Sequence, residues 1–176
     1  MILRFKPYVA KRFTTWGHIW DAGVADAAGY QQTRTLSASA SGGLAGVGAG
    51  KGWLVHLPAA DTDMVFGVLI EEWGLIIAVL AVLSIVTLSV FAVRSIMEGR
   101  STYYTIAACG AMSMFVFQTI LNIFGCTDLL PFTGVTFPFV SNGGTSMIVS
   151  WALLAFLKSA DTRQKASLAV KGGARS

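Results

Sequence analysis

The sequence predicts an all-α integral membrane protein, and three observations carry that prediction. Hydrophobic residues make up 54% of the 176-residue chain and charged residues only 12%, with a mean hydropathy of +0.63, whereas a soluble domain carries about 25% charged residues. The apolar residues gather into stretches long enough to cross a hydrocarbon core of roughly 30 Å. Lysine and arginine collect between and after those stretches in a pattern that assigns them sides of a membrane.

Residues 1–63 are polar and rich in Gly, Ser and Ala, with Trp16, Trp20 and Trp53 scattered among them. They read as a large folded loop on a membrane surface rather than a span. Residues 64–93 are apolar except for Glu71 and Glu72 and form the first span. A short charged turn follows, with Arg94, Glu98 and Arg100, and residues 102–124 supply the second span. Residues 126–140 are apolar too, but Pro131, Gly134 and Pro138 would break a helix there. Bare backbone does not face lipid, so this segment is expected to pack on protein or at the interface. Residues 142–157 make a third, short, glycine-interrupted span, the kind of segment from which membrane proteins build sites. The expected organisation is a loop over 1–63, a membrane region over 64–158 and a basic tail over 159–176.

Basic residues mark the cytoplasmic side. Lys158, Arg163, Lys165, Lys171 and Arg175 place the tail inside, and Arg94 and Arg100 place the first turn there as well. Residues 1–63 and 126–141 then lie outside, in a multi-pass arrangement. Arg4, Lys6, Lys11 and Arg12 run against this orientation, but the rule weakens for outer segments of about 60 residues.

Several function classes are excluded. The net charge of +4 is modest and no basic run is interleaved with aromatics, so no nucleic-acid partner is expected. Cys109 and Cys126 stand at opposite ends of one apolar segment, too far apart on a helix to pair. His18 and His56 form no ligand spacing, and a zinc site is not expected. The glycine-rich run GGLAGVGAGKG over 42–52 is no Walker loop, because Ala45 and Gly52 stand where the motif needs Gly and Ser or Thr. A loop offering backbone N–H groups to an anion remains an alternative.

Residues 57–74, LPAADTDMVFGVLIEEWG, are the most informative stretch: two carboxylates stand at the mouth of a span and two more enter it. Ionisable groups in or beside the bilayer are costly and usually mark a function. Helix capping by Thr62 or Asp63 is the structural alternative. On a helix starting at Asp63, Glu71 lies at the margin of the face shared by Phe66, Gly67, Ile70 and Gly74, and Glu72 lies nearly opposite, so both cannot line one cavity. Gln118 and Asn122 share a face of the second span, where helix-to-helix hydrogen bonding is preferred over substrate contact. In PFVSNGGTS, residues 138–146, Gly143 and Gly144 allow close backbone approach, and Ser141, Asn142, Thr145 and Ser146 offer hydrogen bonds to a sugar or phosphate. A tight helix start capped by Ser141 is the alternative there.

In order, PYVAKRF from Pro7, GYQ at 29–31, SGGLAGVG from Ser41, LPAADTDMVFGVLIEEWG, FQTILNIFG from Phe117 and LLPFTGVTFPFVSNGGTS from Leu129 resemble the SEDS family, the FtsW/RodA/SpoVE group, across nearly the whole chain. The family's usual P-E-x-H-T-D-F reads here as Pro58, Ala59, Ala60, Asp61, Thr62, Asp63, Met64, with the Glu and His replaced by Ala59 and Asp61 and the essential Asp retained as Asp63. Those departures suggest a divergent branch. The resemblance implies a ten-helix fold of which this chain is the C-terminal portion, from the large fourth outer loop through the last three helices.

The resemblance further implies a peptidoglycan glycosyltransferase of the bacterial cell membrane, polymerising lipid II on the outer side in division, elongation or sporulation, with a class B penicillin-binding protein as partner. Asp63 would be the catalytic carboxylate, with substrate contacts from Gln31, Arg34, Lys51, Asp61, Glu71, Ser141, Gly143, Gly144 and Ser146. A leaving pyrophosphate needs positive charge, from Arg34 or Lys51 or from a divalent cation, Mg or Mn, held by Asp63; no cofactor is otherwise implied. Two other readings stand beside it: a transporter of a lipid-linked cell-wall precursor using Glu71, Glu72, Gln118 and Asn122, and a non-catalytic truncated fragment that binds a partner through its helices.

Overall fold

The computed structural model describes residues 12–25, 27, 29–97 and 102–173, with residues 95–97 and 160–173 by their backbone alone. Arg4, Lys6, Lys11, Glu98, Arg100 and Arg175, which enter the charge count above, lie outside the described residues. Every regular element among the described residues is helical: residues 12–15, α1 (Tyr30–Gly42), a 3-10 turn (Leu54–His56), α2 (Val65–Met97), α3 (Thr102–Cys126) and α4 (Gly144–Gly173).

Two helices, Val65–Arg94 and Thr102–Cys126, are long and apolar enough to cross a membrane, while the apolar part of α4, Gly144–Ser159, is shorter. The helix of α4 runs on through the basic segment to Gly173. The core is built chiefly between α2 and α3, where Ala78, Ile85 and Ala92 meet Ala108, Ala111, Met112 and Phe115. Alanines at these positions let two helical backbones approach closely, the usual way apolar helices associate where no hydrophobic driving force separates them from lipid. The outward faces of α2 and α3 expose Leu80, Leu83, Val90, Phe91, Ile106 and Phe117.

Within residues 1–63, α1 carries few apolar residues and manages its polar ones internally. The hydroxyls of Thr35, Ser37 and Ser39 donate to the carbonyls of Gln31, Thr33 and Thr35, one turn back. With their hydroxyls satisfied Thr35 and Ser39 pack against α2 as apolar residues would, and the methyl of Thr35 lies where a side chain at Gly67 of α2 would have to go.

The helix of α2 is not continuous. At Gly74 the backbone takes φ 85° and ψ 166°, a region essentially closed to residues with a side chain. The break strips the helical ladder of partners, and the segment after α1 replaces them. Val47 N and Gly48 N donate to Glu71 O and Glu72 O, while Leu75 N and Ile76 N donate to Gly43 O and Leu44 O. A Cβ at Gly74 would strike the backbone of Leu44, Ala45 and Gly46, and one at Gly46 would strike that of Glu72 and Gly74. The glycine-rich run is therefore a docked splice, with the Val47 and Gly48 amides engaged by helix carbonyls rather than presented to an anion. The sequence gives no warning of the break, since IEEWGLI reads as uninterrupted helix.

Candidate active site

Asp63 sits in a turn that closes just before α2, its N–H donating to Ala59 O at 3.0 Å. The positive φ of Ala59, 65°, makes the turn tight. The helix begins at Val65 rather than at Asp63 itself. Asp63 is half-buried, and burial pushes its carboxyl above the ordinary carboxylate range, while a hydrogen bond with the Thr62 side chain and the charge of Arg12 pull it back.

The turn is held by residues 127–143, which run without regular structure between α3 and α4. Ser141 is buried; its hydroxyl donates to Thr62 O at 2.6 Å and accepts from Phe137 N at 2.8 Å. Asn142 doubles the attachment, with N donating to Asp61 O at 2.8 Å and Nδ2 to Asp61 Oδ2 at 3.1 Å. From α3, Asn122 Nδ2 donates to both Asp63 O and Val135 O. Gly134, at φ 70°, brings bare backbone against the carboxylate: a Cβ there would stand 3.2 Å from Asp63 Oδ2. As expected for an apolar but helix-breaking segment, 127–143 packs on protein, with Phe132 and Phe137 buried.

Arg12 completes the cluster. Its Nη1 donates to Phe132 O at 2.7 Å and lies 4.0 Å from the Gly134 Cβ position that Asp63 also approaches. A second attachment holds the far end of the segment: Gln32 of α1 donates to Asp128 Oδ1 at 3.0 Å, and the Trp16 indole donates to Asp128 O at 3.1 Å.

The structure thus gathers Asp61, Asp63 and Ser141 with Asn142, Asn122, Gly134 and Arg12. Ser146 is tied to the same segment, its hydroxyl 2.7 Å from that of Thr136, and Gly143 lies beside both. Gly144 opens α4 with space around it. Gln31 and Arg34 lie on α1, where the Arg34 guanidinium stacks over the Tyr30 ring at 5.2 Å. Lys51 is exposed on the spliced segment, its aliphatic chain against Gly48. Glu71 stands in a different cluster: it is buried, and its two oxygens accept from Trp53 N at 3.0 Å and Leu54 N at 3.1 Å. Sequence alone gives Arg12 only a part in the charge count; its place in PYVAKRF is the one signal that could have marked it. Among the described residues no group of three His, Cys, Asp or Glu could hold a metal, so a cation at Asp63 would need donors from substrate.

The sequence profile of the FtsW/RodA/SpoVE family, described as cell cycle proteins, matches residues 1–166. The chain belongs to the FtsW/RodA/SpoVE family. A relative named probable peptidoglycan glycosyltransferase FtsW, from Buchnera aphidicola subsp. Acyrthosiphon pisum, is 33% identical over 98% of this chain and 45% of its own length. The peptidoglycan glycosyltransferase RodA of Mycobacterium leprae is 34% identical over 85% of this chain and 32% of its own. Stage V sporulation protein E of Bacillus subtilis is 35% identical over 80% of this chain and 38% of its own. The chain therefore spans less than half the length of these FtsW, RodA and SpoVE relatives. Family membership and two membrane-capable helices together make it a membrane protein.

Proposed function

We propose that this chain is the C-terminal portion of a bacterial peptidoglycan glycosyltransferase that extends glycan strands from lipid II, with Asp63 as the catalytic carboxylate. The observation that carries the reading is the setting of Asp63: a half-buried carboxylate at the mouth of an apolar helix, in a turn fixed by Asn122, Ser141 and Asn142. The names of the FtsW and RodA relatives support the reaction class.

A sugar hydroxyl of the acceptor attacks the anomeric carbon of the donor and loses its proton to Asp63. The bond from that carbon to the pyrophosphate oxygen breaks, and polyprenyl pyrophosphate leaves with the electron pair. A carboxylate whose affinity for protons is raised by burial is a better base than an exposed one, and fixed geometry supplies much of the remaining advantage. Positive charge for the leaving group would come from Arg34, Lys51 or a divalent cation. Of the other residues expected to touch substrate, Asp61, Gly143 and Ser146 border the same cluster and Gly144 opens beside it; Ser141, its hydroxyl engaged by Thr62 O and Phe137 N, would act by fixing the turn, Gln31 from α1, and Glu71 through the loop it holds.

In the same proposal, residues 1–63 and 126–141 face the outside of the cell membrane and the basic tail faces the cytoplasm, as the distribution of Lys and Arg suggests. Cysteine substitutions within 42–52 and 133–135 would then react with an impermeant reagent in intact cells, and Ser167→Cys only after permeabilisation. A class B penicillin-binding protein is the proposed partner.

The deciding experiment is Asp63→Asn in the full-length protein that contains this sequence. Asn keeps the size and hydrogen-bonding reach of Asp but not its basicity. Protein level should stay near normal and glycan formation from lipid II should be abolished, with Asp61→Asn reducing it far less. Normal polymerisation by a well-folded Asp63→Asn protein would overturn the assignment.

A further inference from the structure

Four elements surround Asp63. Its own turn contributes the Thr62 hydroxyl, and residues 127–143 contribute the bare backbone of Gly134. The segment before α1 contributes Arg12, a cation that acts on the carboxylate through charge. From α3, the Cys126 thiol approaches the same turn, with Sγ 3.7 Å from Asp63 O. Arg12 is exposed at its position, but the 2.7 Å hydrogen bond from Nη1 to Phe132 O anchors its head. A guanidinium can do this because its N–H groups form a rigid planar fork, so that one edge can hold a carbonyl while the charge stays beside a carboxylate; an ammonium keeps the charge without the fork. Gly134 makes the arrangement compact, because a side chain there would crowd both the Asp63 carboxylate and the Arg12 head.

We propose that Arg12 is a positioning residue for Asp63: anchored on the Phe132 carbonyl, its guanidinium acts by charge across Gly134 to favour the carboxylate orientation from which it takes the acceptor proton. The inference rests on the reading of Asp63 as the catalytic carboxylate. It assigns a role in the reaction to a residue far from Asp63 in the chain, joined to it through the backbone of a third segment.

Burial and Arg12 act on Asp63 in opposite senses. Without the positive charge, burial acts unopposed except by Thr62, Asp63 holds its proton to higher pH, and activity disappears earlier on the acid side. The test is the rate of glycan formation from lipid II between about pH 5 and pH 8 for the full-length protein and its Arg12→Gln, Arg12→Lys and Asp63→Asn variants, with a thermal unfolding midpoint for each. Removing the opposite charge should move the acid limb of the Arg12→Gln profile to higher pH. Arg12→Lys should keep the limb near its original place while lowering kcat, because the charge survives and the fork does not.

An unmoved acid limb in Arg12→Gln overturns the inference, whether the loss is uniform across pH or lies in KM alone, since either marks a structural or substrate-binding role. Failure of both Arg12 variants to accumulate as folded protein overturns it too, by making Arg12 an anchor of the fold. An active Asp63→Asn protein sinks the reading of Asp63 and the inference with it. An inactive Asp63→Asn protein beside an unmoved limb in Arg12→Gln sinks the inference alone.

Discussion

A single amide nitrogen fixes the distance between the turn that carries Asp63 and the segment that covers it: Asn122 Nδ2 donates to Asp63 O at 2.9 Å and to Val135 O at 2.7 Å. A carboxamide nitrogen carries two hydrogens, and both are engaged here. Asn122 is buried on α3, so its position is set by the helix rather than by the loops it joins. Replacing it with Leu leaves two carbonyls without that donor, at a cost of about 1–3 kcal/mol for each buried group so orphaned. Asn122→Leu should lower the thermal unfolding midpoint in detergent and depress activity with it. Asn122→Asp, which offers acceptors where donors are needed, should be worse. A midpoint unchanged in Asn122→Leu would show that the two segments are held together by other contacts.

Asp63 and Asp128 are both pushed above the ordinary carboxylate range, first by burial, with hydrogen bonds from Thr62 and from Gln32 and the Gly17 backbone opposing the shift. A folded-state pKa above the unfolded value means that the native protein binds protons more readily than the unfolded chain. The stabilisation from this source is complete below the unfolded carboxylate value and is lost as pH rises through the folded one. Acidification from about pH 7 toward about pH 4 should therefore stabilise the wild-type fold relative to an Asp128→Asn variant, which lacks one of the two groups. Parallel midpoints across that range would show that Asp128 does not contribute. Asn can still accept from Gln32, so the variant should fold.

The apolar helices were legible because composition alone marks them: α2 (Val65–Met97) and α3 (Thr102–Cys126) form over the two longest apolar runs. The need for residues 126–140 to pack on protein was legible from their prolines, whereas the helix expected to start at Asp63 starts two residues later, at Val65. Other features depend on backbone atoms distant in sequence, which leave no side-chain signature. Arg12 is held by the carbonyl of Phe132, and the break at Gly74 is completed by the backbone of residues 43–48. Ser141 could be read either as a helix cap or as a substrate contact, whereas its hydroxyl joins Thr62 O to Phe137 N. Asn122, expected to bond helix to helix, bonds helix to loop backbone instead.

Gly74 and Gly110 are both glycines of apolar helices, yet their substitution should have opposite outcomes. At Gly110 a Cβ meets open space and φ is ordinary, so Gly110→Ala should be neutral or stabilising by up to about 1 kcal/mol through backbone entropy and helix propensity. At Gly74 the positive φ and the backbone of residues 44–46 both oppose a side chain. Gly74→Ala should expel the docked segment, strip four helix backbone groups of the partners it supplies, and lower the yield of folded protein. Proteolysis within residues 43–52 would report the expulsion; equal protection in the two variants would contradict the splice.

Glu71 and Glu72 are adjacent and chemically identical, and their replacement by Gln separates a structural carboxylate from a peripheral one. Both oxygens of Glu71 accept main-chain N–H groups, from Trp53 and Leu54, at the start of the 3-10 turn. A carboxylate suits this place because it offers acceptors on both sides; Gln offers one acceptor and one donor, so its NH2 must oppose one of the two N–H groups. Loss of a hydrogen bond to a charged acceptor and the opposed donors should together destabilise Glu71→Gln by about 1.5–3 kcal/mol. Glu72 is half-buried, and what it lends to the splice is its main-chain carbonyl, which accepts from Gly48 N and survives any side-chain change. Glu72→Gln should therefore stay within about 0.5 kcal/mol of the wild type. Because Glu71 secures residues 51–54, its replacement should also loosen Lys51, and activity should fall in proportion to the loss of folded protein or further. Thermal unfolding of the two variants side by side decides the matter: equal midpoints would show that the Glu71 carboxylate is not what holds the loop against α2.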